Sequence, residues 1–256
     1  MTEQLLRTEN LSVAYGRVEA ARGVSLSVNR GEFVAIIGSN GAGKSSTLKA
    51  IAGVVKPTSG EILLEGKPVQ GLPSHEMAKR GIVLVPEGRH VFADQSIADN
   101  LLLGAYLHAS RTSRDDHDLE RMYSLFPLLG ERRAQLAGSL SGGEQQMLAI
   151  ARGLLARPKL LMIDEVSLGL APKILDFLFP LLAQLNRDGL SILLVEQLAT
   201  EALAVASRTY VMENGRVTIE GPSSQLARDP RVMEAYLGKR AVAPKPLVSQ
   251  HGNIDT

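Results

Sequence analysis

The chain has 256 residues, 45% hydrophobic and 21% charged, a globular composition long enough for one large domain or two small lobes. Its 28 Lys and Arg stand against 27 Asp and Glu, so there is no basic excess of the kind nucleic-acid binders carry. Cysteine is absent, which excludes disulfides, thiolate metal sites and thiol catalysis together.

The opening stretch, MTEQLLRTENLSVAYG, has neither the basic start nor the apolar core of a secretory signal. No apolar run reaches the roughly 18–20 residues needed to cross a bilayer. The chain therefore reads as soluble, and work at a membrane would require docking on a partner.

Strand-like runs recur at 24–28, 33–37, 62–65, 82–85, 160–163, 192–195 and 209–212. Helix-period segments separate the later ones, which predicts a parallel sheet covered by helices. The opening and closing parts read as antiparallel. The run at 33–37 leads into Gly38-Ser39-Asn40-Gly41-Ala42-Gly43-Lys44-Ser45-Ser46, and a helical pattern follows at 47–51. Strand, glycine loop and helix in that order is the context of a phosphate-binding P-loop. Glycines allow backbone shapes that a Cβ would exclude, so successive N–H groups converge on phosphate oxygens. The helix N-terminus adds further donors and its positive dipole end. Lys44 is expected to reach the β and γ phosphates of ATP, and the Ser45 hydroxyl to ligate Mg²⁺.

The run at 82–85 ends in Pro86-Glu87-Gly88-Arg89, an acidic and a cationic residue at one strand exit. Residues 98–136 then show apolar positions at helical spacing, such as Leu101, Leu102 and Ala105, later Leu119, Met122 and Leu125. They contain no strand-like run, and a polar break at 108–116 divides them. This predicts an inserted helical lobe. Leu140-Ser141-Gly142-Gly143-Glu144-Gln145-Gln146 precedes a helical pattern, with Ser141 as N-cap and Glu144 completing a capping box. A cap needs no double glycine, whereas a helix end that must meet phosphate closely does.

The run at 160–163 delivers Asp164 and Glu165. An acid at such a strand end holds Mg²⁺ in P-loop enzymes, and the next residue is placed to orient or deprotonate water. Pro180 falls inside an apolar helical pattern at 173–185 and predicts a kink or an early end there. Asn214-Gly215 predicts a tight hairpin. The tail, 239–256, contains Pro244, Pro246 and Gly252 with few large apolar residues and reads as flexible. The five histidines show no metal-ligand spacing.

Together GSNGAGKSS, LSGGEQQ and LLMIDE resemble the ATP-binding-cassette (ABC) ATPases, across residues 5–238. The resemblance implies an α/β P-loop cassette: a mixed sheet core, an antiparallel β subdomain and an inserted helical lobe. It implies two cassettes, identical or not, facing head to tail. Ser141 and Gly143 would then act on the γ-phosphate held by the facing cassette, not on the one held by Lys44. Tyr15 matches the aromatic position that stacks on adenine.

Glu87 holds the place of a glutamine that senses Mg²⁺ and the γ-phosphate, and Gln197 that of the switch histidine. Val166 replaces a proline, and Leu198 an asparagine. Within the family, PEGR-x-VF, LSGGEQQMLAIAR, SLGLAP, LLVEQ and AYLG resemble the LivF-type ATPases of branched-chain amino-acid importers. That implies transmembrane permease subunits, a second LivG-like cassette or a second copy, and an extracytoplasmic solute-binding protein. It places the chain peripherally on the cytoplasmic face of the inner membrane. An importer of urea or short amides stays open, because no residue here touches the solute. A non-transport ABC ATPase acting on nucleic acid or ribosomes fits less well: such proteins pair two cassettes in one chain or carry coiled-coil arms.

Overall fold

Residues 3–108 and 113–237 are described in the computed structural model. The chain opens with a strand that the pattern of its residues did not bring out. In β1 (Gln4–Tyr15) the neighbours Leu5 and Leu6 are both buried, and four irregularities break its register against β2 (Val18–Asn29). Bulges of this kind destroy the two-residue period that marks a strand. On the other edge of β1 lie β4 (Ser59–Leu64) and then β5 (Lys67–Pro68), giving an antiparallel sheet of order β2-β1-β4-β5.

A second sheet has the order β10-β9-β3-β8-β7-β6. It comprises β3 (Phe33–Ile37), β6 (Ile82–Val85), β7 (Leu160–Asp164), β8 (Ser191–Glu196), β9 (Arg208–Glu213) and β10 (Arg216–Pro222). All neighbours are parallel except the β9–β10 hairpin. Asn214 (φ 50°) and Gly215 (φ 81°) turn that hairpin with the two positive φ angles its tight turn requires.

Every residue of β3, β7 and β8 is buried, as expected where helices or a second sheet cover both faces. Alternate residues feed two cores. Phe33, Ala35 and Ile37 join Leu161, Ile163, Ile192 and Leu194 under the helices. Val34 and Ile36 join Leu160, Met162, Leu193 and Val195 under the antiparallel sheet and α1 (Lys44–Ile51). The helical face is built from α6 (Gly142–Leu155), α7 (Pro172–Arg187) and α8 (Ala199–Val205). Arg208 ties the sheets together, pairing with Glu32 (Nε–Oε1 2.8 Å) while donating to the Ser27 carbonyl at 2.8 Å.

The remaining helices are α2 (Ser74–Lys79), α3 (Ile97–Gly104), α4 (Ser113–Leu125), α5 (Pro127–Glu131), α9 (Ser223–Leu226) and α10 (Pro230–Val232). Within 98–136 the described residues contain helices and one isolated bridge, Ser96 to Leu136, but no strand. Here α4 starts at Ser113, inside the polar stretch read as a break. The early end expected at Pro180 does not occur: α7 runs through it to Arg187. Pro180 lies on the exposed side of that helix, so its ring displaces no core contact. The tail at 239–256, read as flexible, lies outside the described residues.

Because β3, β6, β7 and β8 are parallel, their carboxyl ends share one edge of the sheet. Ligands of open α/β sheets bind in the crevice outside that edge. That edge delivers Gly38, Pro86, Glu165 and Gln197.

Candidate nucleotide site

The backbone of the glycine loop is set by what surrounds it. A Cβ on Gly38 would meet the Met212 carbonyl oxygen at 2.3 Å, and one on Gly43 (φ 97°) the Ala20 oxygen at 2.3 Å. The loop is thus pressed between β9 and β2, and only glycine fits at either end. Helix α1 begins at Lys44, three residues earlier than the pattern at 47–51 suggested, with Gly43 as N-cap. No side chain caps it, so its first N–H groups are left for an anion.

Lys44 is almost fully buried, and its ammonium donates to the carbonyls of Gly38 (2.9 Å) and Ser39 (3.1 Å). Glu165 Oε1 lies 3.5 Å from the same nitrogen. Ser45 donates to Asp164 Oδ1 at 2.8 Å. Burial pushes the Asp164 carboxyl above its usual range; Ser45 opposes this, and nearby Glu165 and Glu87 add to it. Asp164 Oδ2 is buried with no hydrogen-bond partner. An orphaned carboxylate oxygen beside a serine hydroxyl fits hard Mg²⁺, which takes one or two protein oxygens plus phosphate and water rather than a protein cage. Among the described residues no cluster of three or more His, Asp or Glu forms such a cage.

Above these groups opens a cleft of about 840 Å³. It is lined by residues 40–46 of the loop together with Tyr15, Glu87, Glu165 and the Asn214-Gly215 turn. Tyr15, at the end of β1, is half exposed at its rim. Glycine loop, strand-end carboxylate and aromatic rim are therefore brought together.

Ser141, Gly143 and Gln197 do not line this cleft. Ser141 caps α6, accepting from the Glu144 amide at 3.4 Å while its own N–H donates to Glu144 Oε2 at 2.7 Å, so the capping box forms. The two glycines also have a packing reason within the chain. A Cβ on Gly142 would come within 2.7 Å of the Arg89 guanidinium, and one on Gly143 within 2.7 Å of Ile174. Gln197 is exposed just beyond β8.

The strand exit at 86–92 divides its two charges. Glu87 faces the cleft, while Arg89 packs against Gly142 and forms no ion pair with Glu87. Gly88, Arg89 and His90 all have positive φ, a strained run that needs external restraint. Asn100 and Arg152, which the sequence did not single out, supply it. Asn100 is fully buried on α3; its Oδ1 accepts from the Phe92 amide at 2.9 Å and its Nδ2 donates to the Phe92 carbonyl at 3.0 Å. Arg152, on α6, donates to the His90 carbonyl at 2.7 Å. Asn100→Leu keeps the branched shape and heavy-atom count of the side chain but is bulkier and strips both Phe92 partners, so denaturant unfolding should report a loss of at least about 1–3 kcal/mol.

The fold and cleft define a P-loop nucleotide-binding cassette with a helical insertion. The ABC transporter family model matches residues 21–167. The chain is 44% identical to BraG of Pseudomonas aeruginosa, a high-affinity branched-chain amino acid transport ATP-binding protein, over 91% of this chain and 100% of that one. It is 33% identical to the probable branched-chain amino acid transport ATP-binding protein LivF of Archaeoglobus fulgidus, covering 91% and 99%. Its fold is similar to the dimeric post-hydrolysis ATP-binding cassette MJ0796 bound to ADP and Pi, with TM-score 0.78, 26% identity and coverage of 86% and 99%. The chain belongs to the ABC transporter family, as one of its ATP-binding, ATP-hydrolysing cassettes. No helix among the described residues is long and apolar enough to cross a membrane.

Proposed function

We propose that this cassette hydrolyses ATP to power an importer of branched-chain amino acids. Full-length similarity to BraG at 44% identity carries the solute class, and the Lys44–Glu165 and Ser45–Asp164 pairs around one cleft support the chemistry. The loop amides of residues 38–46 and Lys44 bind the phosphates of ATP, and Tyr15 at the rim takes the adenine. Ser45 and Asp164 hold Mg²⁺, which supplies neutralisation of phosphate charge. Glu165 accepts the proton of the attacking water. Glu87, which lines the cleft, senses the γ-phosphate, and Gln197, outside the cleft on the same sheet edge, holds the place of the switch residue.

Ser141 sits exposed on the N-terminus of α6, away from the cleft, with Gly143 behind it. This supports pairing with a facing cassette, a second copy or a LivG-like chain, whose nucleotide these residues would meet. Residues 5–238 form the cassette, with 98–136 as the lobe turned toward the permease. The chain then works peripherally on the cytoplasmic face of the inner membrane, served by an extracytoplasmic binding protein.

The test is affinity capture of the tagged full chain from detergent-solubilised native membranes, followed by uptake of labelled leucine, isoleucine and valine. Recovery of a polytopic permease and a second cassette, with uptake lost on deletion, is the expected result. Uptake of urea or short amides lost instead would reassign the solute. Capture of ribosomal or DNA-repair proteins alone would overturn transport.

A further inference from the structure

Glu165 occupies an unfavourable backbone position, φ 51°, at the end of β7. A non-glycine residue there persists only when its surroundings hold it. One restraint is direct: the Glu165 amide donates to the Val195 carbonyl at 2.9 Å. The next residue is Val166, which lacks the fixed φ a proline would supply. The turn is instead fixed one residue further on. Ser167 donates to Glu196 twice, from its amide at 2.9 Å and from its hydroxyl at 2.6 Å.

Glu196 ends β8 and is fully buried. Its Oε2 also accepts from the Gln197 amide (3.1 Å) and more weakly from the Leu198 amide (3.4 Å). All four partners are donors, the set an ionised carboxylate accepts. The preceding residues, Ile192 to Val195, are apolar and buried, so a carboxylate here is costly unless hydrogen-bonded, and these four bonds offset that cost. One side chain thus joins the turn that carries Glu165 to the loop that carries Gln197.

We propose that Glu196 is a positioning residue for hydrolysis: through Ser167 it fixes Glu165, and through the Gln197 and Leu198 amides it ties the loop after β8 to the same turn. This rests on Glu165 as general base. Glu196→Gln replaces an acceptor oxygen with an NH₂ that faces N–H donors. Ser167→Ala removes one of the two bonds and leaves the carboxylate in place.

The experiment compares steady-state ATP hydrolysis by the complex captured through this chain, carrying Ser167→Ala, Ser167→Thr, Glu196→Gln, the Ser167→Ala/Glu196→Gln double variant, or Glu165→Gln. Equilibrium dialysis gives each variant's ATP affinity, and amide exchange reports on 165–171. Ser167→Ala should lower kcat about tenfold and Glu196→Gln about 10–100-fold, since displacing a reacting group by about 1 Å costs this much. KM and Kd for ATP should stay within about threefold, the signature of an interaction made in the transition state. The double variant should be no slower than Glu196→Gln, because the two residues act as one unit. Ser167→Thr, which keeps the hydroxyl, should recover turnover to within about threefold of wild type.

If Glu196→Gln does not fold, the Ser167→Ala and Ser167→Thr comparison decides. Wild-type kcat in Ser167→Ala, beside a large loss in Glu165→Gln, overturns the clamp alone. Full turnover in Glu165→Gln overturns the general base and the clamp with it.

Discussion

Glu165→Gln is expected to bind ATP as well as wild type while turnover of the assembled transporter falls at least ~10²-fold, the lower end for loss of a general base. Binding persists because the loop amides remain, and Lys44, though it loses its pairing with Glu165, is still held by the Gly38 and Ser39 carbonyls. Binding gains because Glu87 and Glu165 both line the cleft that receives the phosphates. Removing one negative charge relieves repulsion. Glutamine keeps the length of the side chain, so the backbone at φ 51° and the bond to Val195 are unchanged. The measurement is phosphate release beside ATP dialysis, and near-normal hydrolysis would remove Glu165 from the role.

Gly43→Ala should damage both fold and binding. At φ 97° an alanine is strained by about 1–2 kcal/mol. Its Cβ would also stand 2.3 Å from the Ala20 oxygen, so β2 or the loop must move. Together these are expected to cost about 3 kcal/mol, lowering Tm by roughly 6–12 °C in a chain of this size. ATP affinity should fall at least ~10-fold, which corresponds to about 1.4 kcal/mol. Gly41→Ala is the control: φ is 79°, but nothing lies within 4 Å of its Cβ, so the strain of about 1–2 kcal/mol stands alone. Equal Tm shifts in the two variants would show that the close approach to Ala20 carries no weight.

Where chemistry is written in consecutive residues, the sequence was legible. The loop at 38–46, the pair Asp164 and Glu165, the Ser141 cap and the Asn214-Gly215 hairpin all depend on near neighbours, and each forms as its local pattern says. The parallel sheet was legible for a related reason: strands buried on both faces read as unbroken apolar runs.

What stayed hidden depends on partners far along the chain. The register irregularities of β1 erase its alternation. Nothing near Glu196 marks its role, because its partner Ser167 is 29 residues away. Asn100 and Arg152 carry no local mark; their meeting with Phe92 and His90 exists only after α3, α6 and the strand exit pack. Pro180 does not end its helix for the opposite reason: an exposed helix face tolerates the exception to a local rule.

The strand order also sets a timetable for synthesis. In the mature sheet, β3 is hydrogen-bonded only to β8 and β9, with Phe33 opposite Ile192 and Val34 opposite Arg208. At about 5–20 residues per second, the roughly 160 residues between them take some 8–30 s to emerge from a ribosome. The antiparallel sheet of β1, β2, β4 and β5 can assemble early in that interval. Throughout it β3, five apolar residues with both edges unpaired, must wait for its neighbours, and the phosphate loop waits with it. A nascent chain stalled before residue 196 should therefore be a strong client for chaperones and unable to retain nucleotide.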